Sequence, residues 1–163
     1  MKKYFYLISF VLLLTSCTED VKFNNPAFQS LKDNVFWRAN AYKAYSGDGG
    51  TMIIEGSLGY EKVLLQTASP MKGTYLLGVN DASKAIYSNT FPAQFVAFST
   101  GTKGVDGQIV ITEYNLENKT ISGTFKFNAI NENINDTENP KITFTEGVFY
   151  KVPIQFSEIT NHL

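Results

Sequence analysis

Along the second half of the chain, apolar and polar residues alternate with a period of two. Between Lys119 and Ala129, the positions Ile121, Gly123, Phe125, Phe127 and Ala129 share one parity; Thr120, Ser122, Thr124, Lys126 and Asn128 share the other. Successive side chains of a strand point to opposite faces, so this pattern predicts an antiparallel strand with one face on a core. Gly123 interrupts the apolar row and predicts a bulge, or a place where another chain passes closely. Gln108 to Tyr114 reads as a second strand, joined to the first as a hairpin over Asn115 to Asn118. Lys141 to Val152 reads as a third. There Ile142 and Phe144 alternate, Glu146-Gly147 interrupts, and Phe149 follows. Upstream, strands are predicted over 36–45, 51–57, 62–67, 73–79, 85–88 and 95–98. Turn clusters at 46–50, 69–70, 100–104 and 131–140 punctuate them. About nine short strands, with no sustained helical period after residue 33, predict an all-β fold. An antiparallel β-sandwich is the first expectation, and an open or calycin-like β-barrel the alternative.

The N-terminus follows a different pattern. Lys2 and Lys3 precede an uncharged, mostly apolar run from Tyr4 to Leu14. At about 1.5 Å per residue the run is too short for a hydrocarbon core of about 30 Å, and its length suits a secretory signal. Leu14-Thr15-Ser16-Cys17 resembles the bacterial lipobox: an aliphatic residue, two small residues, then cysteine. The resemblance implies cleavage between Ser16 and Cys17, diacylglyceryl attachment to the Cys17 sulfur and acylation of the new amine. Several acyl chains anchor firmly where one is marginal. Cys17 is the only cysteine in the chain, and a lone thiol is unusual in an exported protein, where oxidising compartments favour pairs. The expected organisation is a signal peptide over 1–16, a lipidated cysteine with a polar tether over 17–33, and one all-β domain over 34–163. Phe23, Phe28 and Leu31 are isolated apolar residues in the tether, available to dock on the domain.

Composition narrows the function. The chain has 163 residues, 44% hydrophobic and 18% charged, which fits one globular domain. Thirteen Phe and nine Tyr reinforce the β expectation. The net charge is -1; removing Lys2 and Lys3 leaves 12 basic against 15 acidic residues, net -3. That balance provides no basic field for nucleic acid.

The order of motifs carries a family resemblance. Trp37 in the first predicted strand is followed by Gly73-Thr-Tyr75. The alternating Gly107–Thr112 strand, Ile121-Ser-Gly-Thr-Phe-Lys-Phe127 and Ile142-Thr-Phe-Thr-Glu-Gly-Val-Phe149 come next. Over roughly residues 33 to 152 this resembles a family of uncharacterised Bacteroidota lipoproteins, a domain of unknown function with a tryptophan strand, a GTY element, an ISGTFxF strand and a closing TxGxF strand. Glu146 stands where the family pattern more often has Asp. The resemblance implies a lipid anchor and an all-β domain, and no activity. Glu19 and Asp20, just past Cys17, resemble the acidic signal that sends lipoproteins of this group to the outer face of the outer membrane. The expected location is the outer membrane, on its surface or its periplasmic face.

Catalytic chemistry has little to stand on. His162 is the only histidine and sits beside the C-terminus, so no Ser-His-acid or Cys-His site is expected. The mature chain lacks the ligands of a zinc site. Asp48 and Asp106 are lone acids in turns, and the loop 131–139, with Glu132, Asp136 and Glu138, reads as a solvated hairpin loop in preference to a weak calcium site. Glu55, Glu61, Glu113 and Glu146 are the carboxylates available to a hydrolase, the least favoured reading. No metal or cofactor is expected. Trp37, Tyr42, Tyr45 and Tyr60 are the candidate binding aromatics, suited to a glycan or to an envelope protein partner, with Trp37 as a filler of the sandwich core the favoured reading of that residue. The favoured expectation is therefore a lipid-anchored, non-enzymatic envelope domain. A calycin-like carrier of a small ligand is the alternative.

Overall fold

The computed structural model describes residues 25–92, 95–102 and 105–156. Its elements are β1 (Ala27–Lys32), β2 (Val35–Arg38), β3 (Ala41–Ser46), a 3-10 turn (Asp48–Gly50), β4 (Met52–Leu58), β5 (Glu61–Thr67), β6 (Gly73–Leu76), β7 (Lys84–Asn89), β8 (Val96–Ser99), β9 (Gly107–Asn115), β10 (Thr120–Asn131) and β11 (Lys141–Gln155). The expected all-β, sandwich-like fold is present. One layer has the order β2-β1-β11-β10-β9-β6 and the other β3-β4-β5-β7-β8. Two short junctions join the layers. Ser99 and Phe98 of β8 pair with Ile130 and Asn131 of β10, and Ile154 and Gln155 of β11 pair in parallel with Ala44 and Tyr45 of β3. The β9–β10 hairpin forms as its alternation predicts.

Three expectations change. The tether expected to reach Asp33 gives way to strand at Ala27: β1 pairs with β11 and β2, and Phe28 is fully buried. Asp33 and Asn34, with φ of 48° and 65°, make the two-residue hairpin turn between β1 and β2. The strand predicted over 36–45 is two strands. Trp37 and Ala39 face inward on odd positions, whereas Ala44 and the partly buried Tyr42 do so on even ones. No single strand can reverse its parity, and the chain turns a corner there. Ala39 N–H donates to Phe28 O in one layer and Asn40 N–H to Ser57 O in the other. The strand over 73–79 ends at Leu76, because Gly78 takes φ of 77° with Val105 packed against it.

The space between the layers is filled by aromatic rings. Phe127 stacks on Phe144 with centroids 4.7 Å apart, Phe28 lies 5.2 Å from Phe125, and Trp37 meets Phe144 edge-on at 6.3 Å. Burying each such side chain contributes about 1.5–3 kcal/mol. Glycines make room for three of the rings. Phe149 lies over Gly123, Phe125 over Gly147 and Phe28 over Gly56. The pairing register shifts beside Gly123 and Gly147, as their sequence positions predict. This packing corrects the calycin-like carrier: the interior volume that a ligand would need is occupied by Phe28, Trp37, Phe125, Phe127, Phe144 and Phe149.

Candidate functional site

The four candidate aromatics do not form one patch. Trp37 is 3% exposed and belongs to the core. Tyr42 is partly buried against that core, and its hydroxyl donates to Pro26 O at 2.9 Å. Tyr45 lies on the opposite parity of β3, where its hydroxyl meets Glu55 at 3.4 Å. Burial, together with the Glu55 charge, pushes its phenol pKa up. Tyr60 is exposed in the β4–β5 turn, edge-on to Phe91 at 5.2 Å.

Trp37 is buried together with a polar network. Its indole Nε1–H donates to Glu61 Oε2 at 2.5 Å. Glu61 Oε1 accepts from Lys32 Nζ at 2.6 Å, and the same ammonium donates to the Tyr87 hydroxyl at 3.3 Å. β1 points Lys32 inward on the parity of Phe28 and Ser30, and Glu61, at the start of β5, supplies the charge that makes this tolerable. Burial first, then Glu61, pushes the Tyr87 phenol well above its ordinary pKa, so it stays protonated.

This network floors a groove of about 420 Å³, within the size range of small-molecule sites, about 300–1,000 Å³. Lys32 and Asp33 come from the β1 end, Tyr87 and Asn89 from β7, Phe95, Val96 and Phe98 from β8 and its approach, and Asp136, Asn139, Lys141 and Ile142 from the β10–β11 connection. Registers bring these segments to one end of the sandwich. Asn89 opposes both Glu61 and Val96, Asn131 opposes Phe98, and Asp33 exchanges two bonds with Thr143.

The polar lining is held in place by the backbone. Asp33 Oδ1 accepts from Thr143 N–H at 2.9 Å, Asn89 Oδ1 from Phe91 N–H at 3.0 Å, and Asp136 Oδ1 from Asn139 N–H at 3.1 Å. The loop 131–139 is organised from within by Asn131, which is 2% exposed. Its amide donates to Asp136 Oδ2 and Asn139 O, and its Oδ1 accepts from Asn133 N–H. A loop expected to be simply solvated is thus fixed, and it carries one wall of the groove.

Of the groove residues, the sequence singles out only Asp136, as one acid of a loop that reads as solvated in preference to a weak calcium site. The legible signals were Asp33-Asn34, a two-residue turn before an aromatic strand, and the Asn/Asp repetition of 131–139, which supplies local side-chain-to-backbone bonds. Three of the four candidate glutamates have separate partners. Glu55 pairs with Lys43 and Lys62, Glu61 with Lys32 and Trp37, and Glu113 with Asn115, while Glu146 occupies a bulge of β11 at φ 51°. Asp48 lies in the 3-10 turn, and the Asp106 carbonyl accepts from Asn128 N–H. Ser16, Cys17, Glu19, Asp20 and His162 lie outside the described residues. No helix among the described residues is long and apolar enough to cross a membrane.

Comparison with known families agrees with both parts of the chain. The prokaryotic membrane lipoprotein lipid attachment site matches residues 1–18, which marks a membrane-anchored lipoprotein. A domain of unknown function, DUF6252, matches residues 24–153, and so includes β1 in the domain. No curated protein and no solved structure matches. The chain, matched over most of its length, belongs to the DUF6252 family.

Proposed function

We propose that this lipoprotein is a non-enzymatic binding module, held at the outer membrane through acylated Cys17, that offers the groove at the loop end of its sandwich to a glycan or an envelope protein. The observation that carries the reading is the construction of that groove. Asp33, Asn89 and Asp136 are oriented by backbone N–H groups and Lys32 by a carboxylate, so these polar atoms are ordered before any ligand arrives. The lipid attachment site supports anchoring. β1 runs from the tether towards the groove, so the tether joins the domain at the remote end of that strand, about 17 Å away at roughly 3.3 Å per residue. Glu19 and Asp20 support display on the outer face.

Labelling cells with a palmitate analogue tests the anchor. The protein takes the label, and Cys17→Ala abolishes it; label surviving in Cys17→Ala would end the reading. Since the mature body has no second cysteine, Ile134→Cys, at a site 85% exposed beside the groove, reports the membrane face. A membrane-impermeant maleimide labels it on intact cells if the domain faces outward.

One observation favours a second reading. Asp33 and Asp136 line the same groove, so a hydrolase using carboxylates alone has two acids in one cleft. Release of reducing ends from oligosaccharides, lost in Asp33→Asn, would favour it over simple binding.

A further inference from the structure

We propose that the ligand of the loop-end groove is a short neutral glycan, an inference that rests on reading that groove as the binding site. Three features select this class. The first is the pairing of an apolar face with fixed polar groups. Phe95 is 72% exposed at the groove wall, and Asp33, Asn89, Asp136 and Asn139 surround it with carboxylates and amides. A sugar presents a C–H face to an aromatic ring and hydroxyls that both donate and accept, which planar carboxylates and amides match. Asn89 keeps its NH2, and Asp33 its second oxygen, beyond the backbone bonds that orient them.

The second feature is charge. The lining itself holds Lys32 and Lys141 against Asp33 and Asp136, a balanced set, and Glu61 beneath it neutralises Lys32 at 2.6 Å, so the groove counted together with that carboxylate is one charge negative. An acidic sugar gains nothing there. The third is the state of the surrounding strands. β1 and β7 are each paired on both sides, and β8 pairs with β7 along its length and with β10 at Phe98 and Ser99, so the open side left at Val96 is too short an edge to seat a peptide as an extra strand. A lipid chain would need an enclosed apolar cavity, whereas this groove is open and half lined by polar side chains.

The test uses the mature acylated protein in detergent micelles, titrated calorimetrically with cellotriose, mannotriose and tri-N-acetylchitotriose, and with trigalacturonate as the acidic counterpart. At least one neutral trisaccharide binds, and trigalacturonate binds more weakly. Phe95→Ala and Asn89→Ala each weaken binding by about tenfold or more. Phe95 projects from the surface, so its truncation leaves the core intact. Leu116→Ala, exposed in the β9–β10 turn, leaves binding unchanged. The proposal is overturned if no neutral trisaccharide binds, if trigalacturonate binds as tightly, or if neither groove substitution changes the affinity. A parent protein that takes no palmitate label would sink the anchored-module reading whatever the sugars do. A labelled protein that ignores every sugar would remove the glycan assignment alone.

Discussion

Gly123 lies against both Val110 and Phe149, and substituting it tests how the two layers fit. A Cβ built at Gly123 would lie 2.0 Å from Val110 O and 2.4 Å from the Phe149 ring. Ordinary carbon contacts are about 3.5–4.0 Å, so Gly123→Ala requires movement of more than 1 Å, roughly, on two sides. The ring is fully buried and the carbonyl belongs to the β9 backbone, so neither yields easily. Overpacking of this kind costs about 1–3 kcal/mol. Displacing the neighbouring ladder adds about 1 kcal/mol, for a total near 3 kcal/mol. At roughly 3 °C per kcal/mol for a chain of this size, Tm falls by about 10 °C. Gly73→Ala is the matched control, because nothing lies within 4 Å of its added Cβ. It is neutral or stabilising by up to about 1 kcal/mol. Urea unfolding of the chain without its signal and lipid, followed by the fluorescence of the single, buried Trp37, measures both variants. A Gly123→Ala protein within about 1 kcal/mol of the parent would refute this account of the packing. So would a Gly73→Ala protein that is equally damaged.

Phe28→Ala costs about 3–5 kcal/mol by the same unfolding measurement, because β1 is core and not tether; a cost below about 1 kcal/mol would contradict that. Glu61→Ala leaves the Trp37 indole N–H without its acceptor and removes the carboxylate from the Lys32 ammonium, which keeps its bond to the Tyr87 hydroxyl. About a fifth of the ion pair is exposed to water, so the loss is set at about 2 kcal/mol, with a red shift of Trp37 emission. At high pH the sign follows from Tyr87. Its folded pKa is raised above the ordinary value of about 10, so above that pH the unfolded chain releases the proton first. Its contribution to stability is intact below about pH 10 and falls as pH rises, by up to about 1.4 kcal/mol per unit. Thermal melts from about pH 8 to 11 read this slope. Tyr87→Phe flattens it, though not fully, since Tyr45 is shifted in the same direction. An unchanged slope in Tyr87→Phe would assign it elsewhere.

The strands were legible where their partners do not matter. Between Thr120 and Asn131 the alternation alone fixes which face is buried, and Gly123 and Gly147 announce their bulges because no other residue fits under Phe149 and Phe125. β1 was not legible as core for a physical reason. Its inward row is Phe28, Ser30 and Lys32, and two of these three read as solvent-facing. Lys32 faces inward only because Glu61 waits 29 residues away. Likewise the strand over 36–45 looks continuous until Asn40 N–H is seen bonding Ser57, in the other layer.

The groove was hidden by the same dependence on distant partners. Its walls come from residues 32–33, 87–89, 95–98 and 136–142, and each piece alone is an ordinary turn or strand end. Trp37 shows how the sequence pointed near the site without reaching it. An aromatic ring with one polar atom suits a binding surface or a core equally well, and the acceptor available to its N–H decides between them. That acceptor is Glu61, which orients Trp37 and Lys32 together. The tryptophan therefore contributes to the candidate site from beneath, by sharing the carboxylate that holds Lys32 at the groove floor. A substitution of Glu61 that repacked the core would also be expected to disturb the groove, so effects on binding must be read there alongside effects on stability. Phe95 and Asn89, which stand outside that network among the bonds described, separate the two.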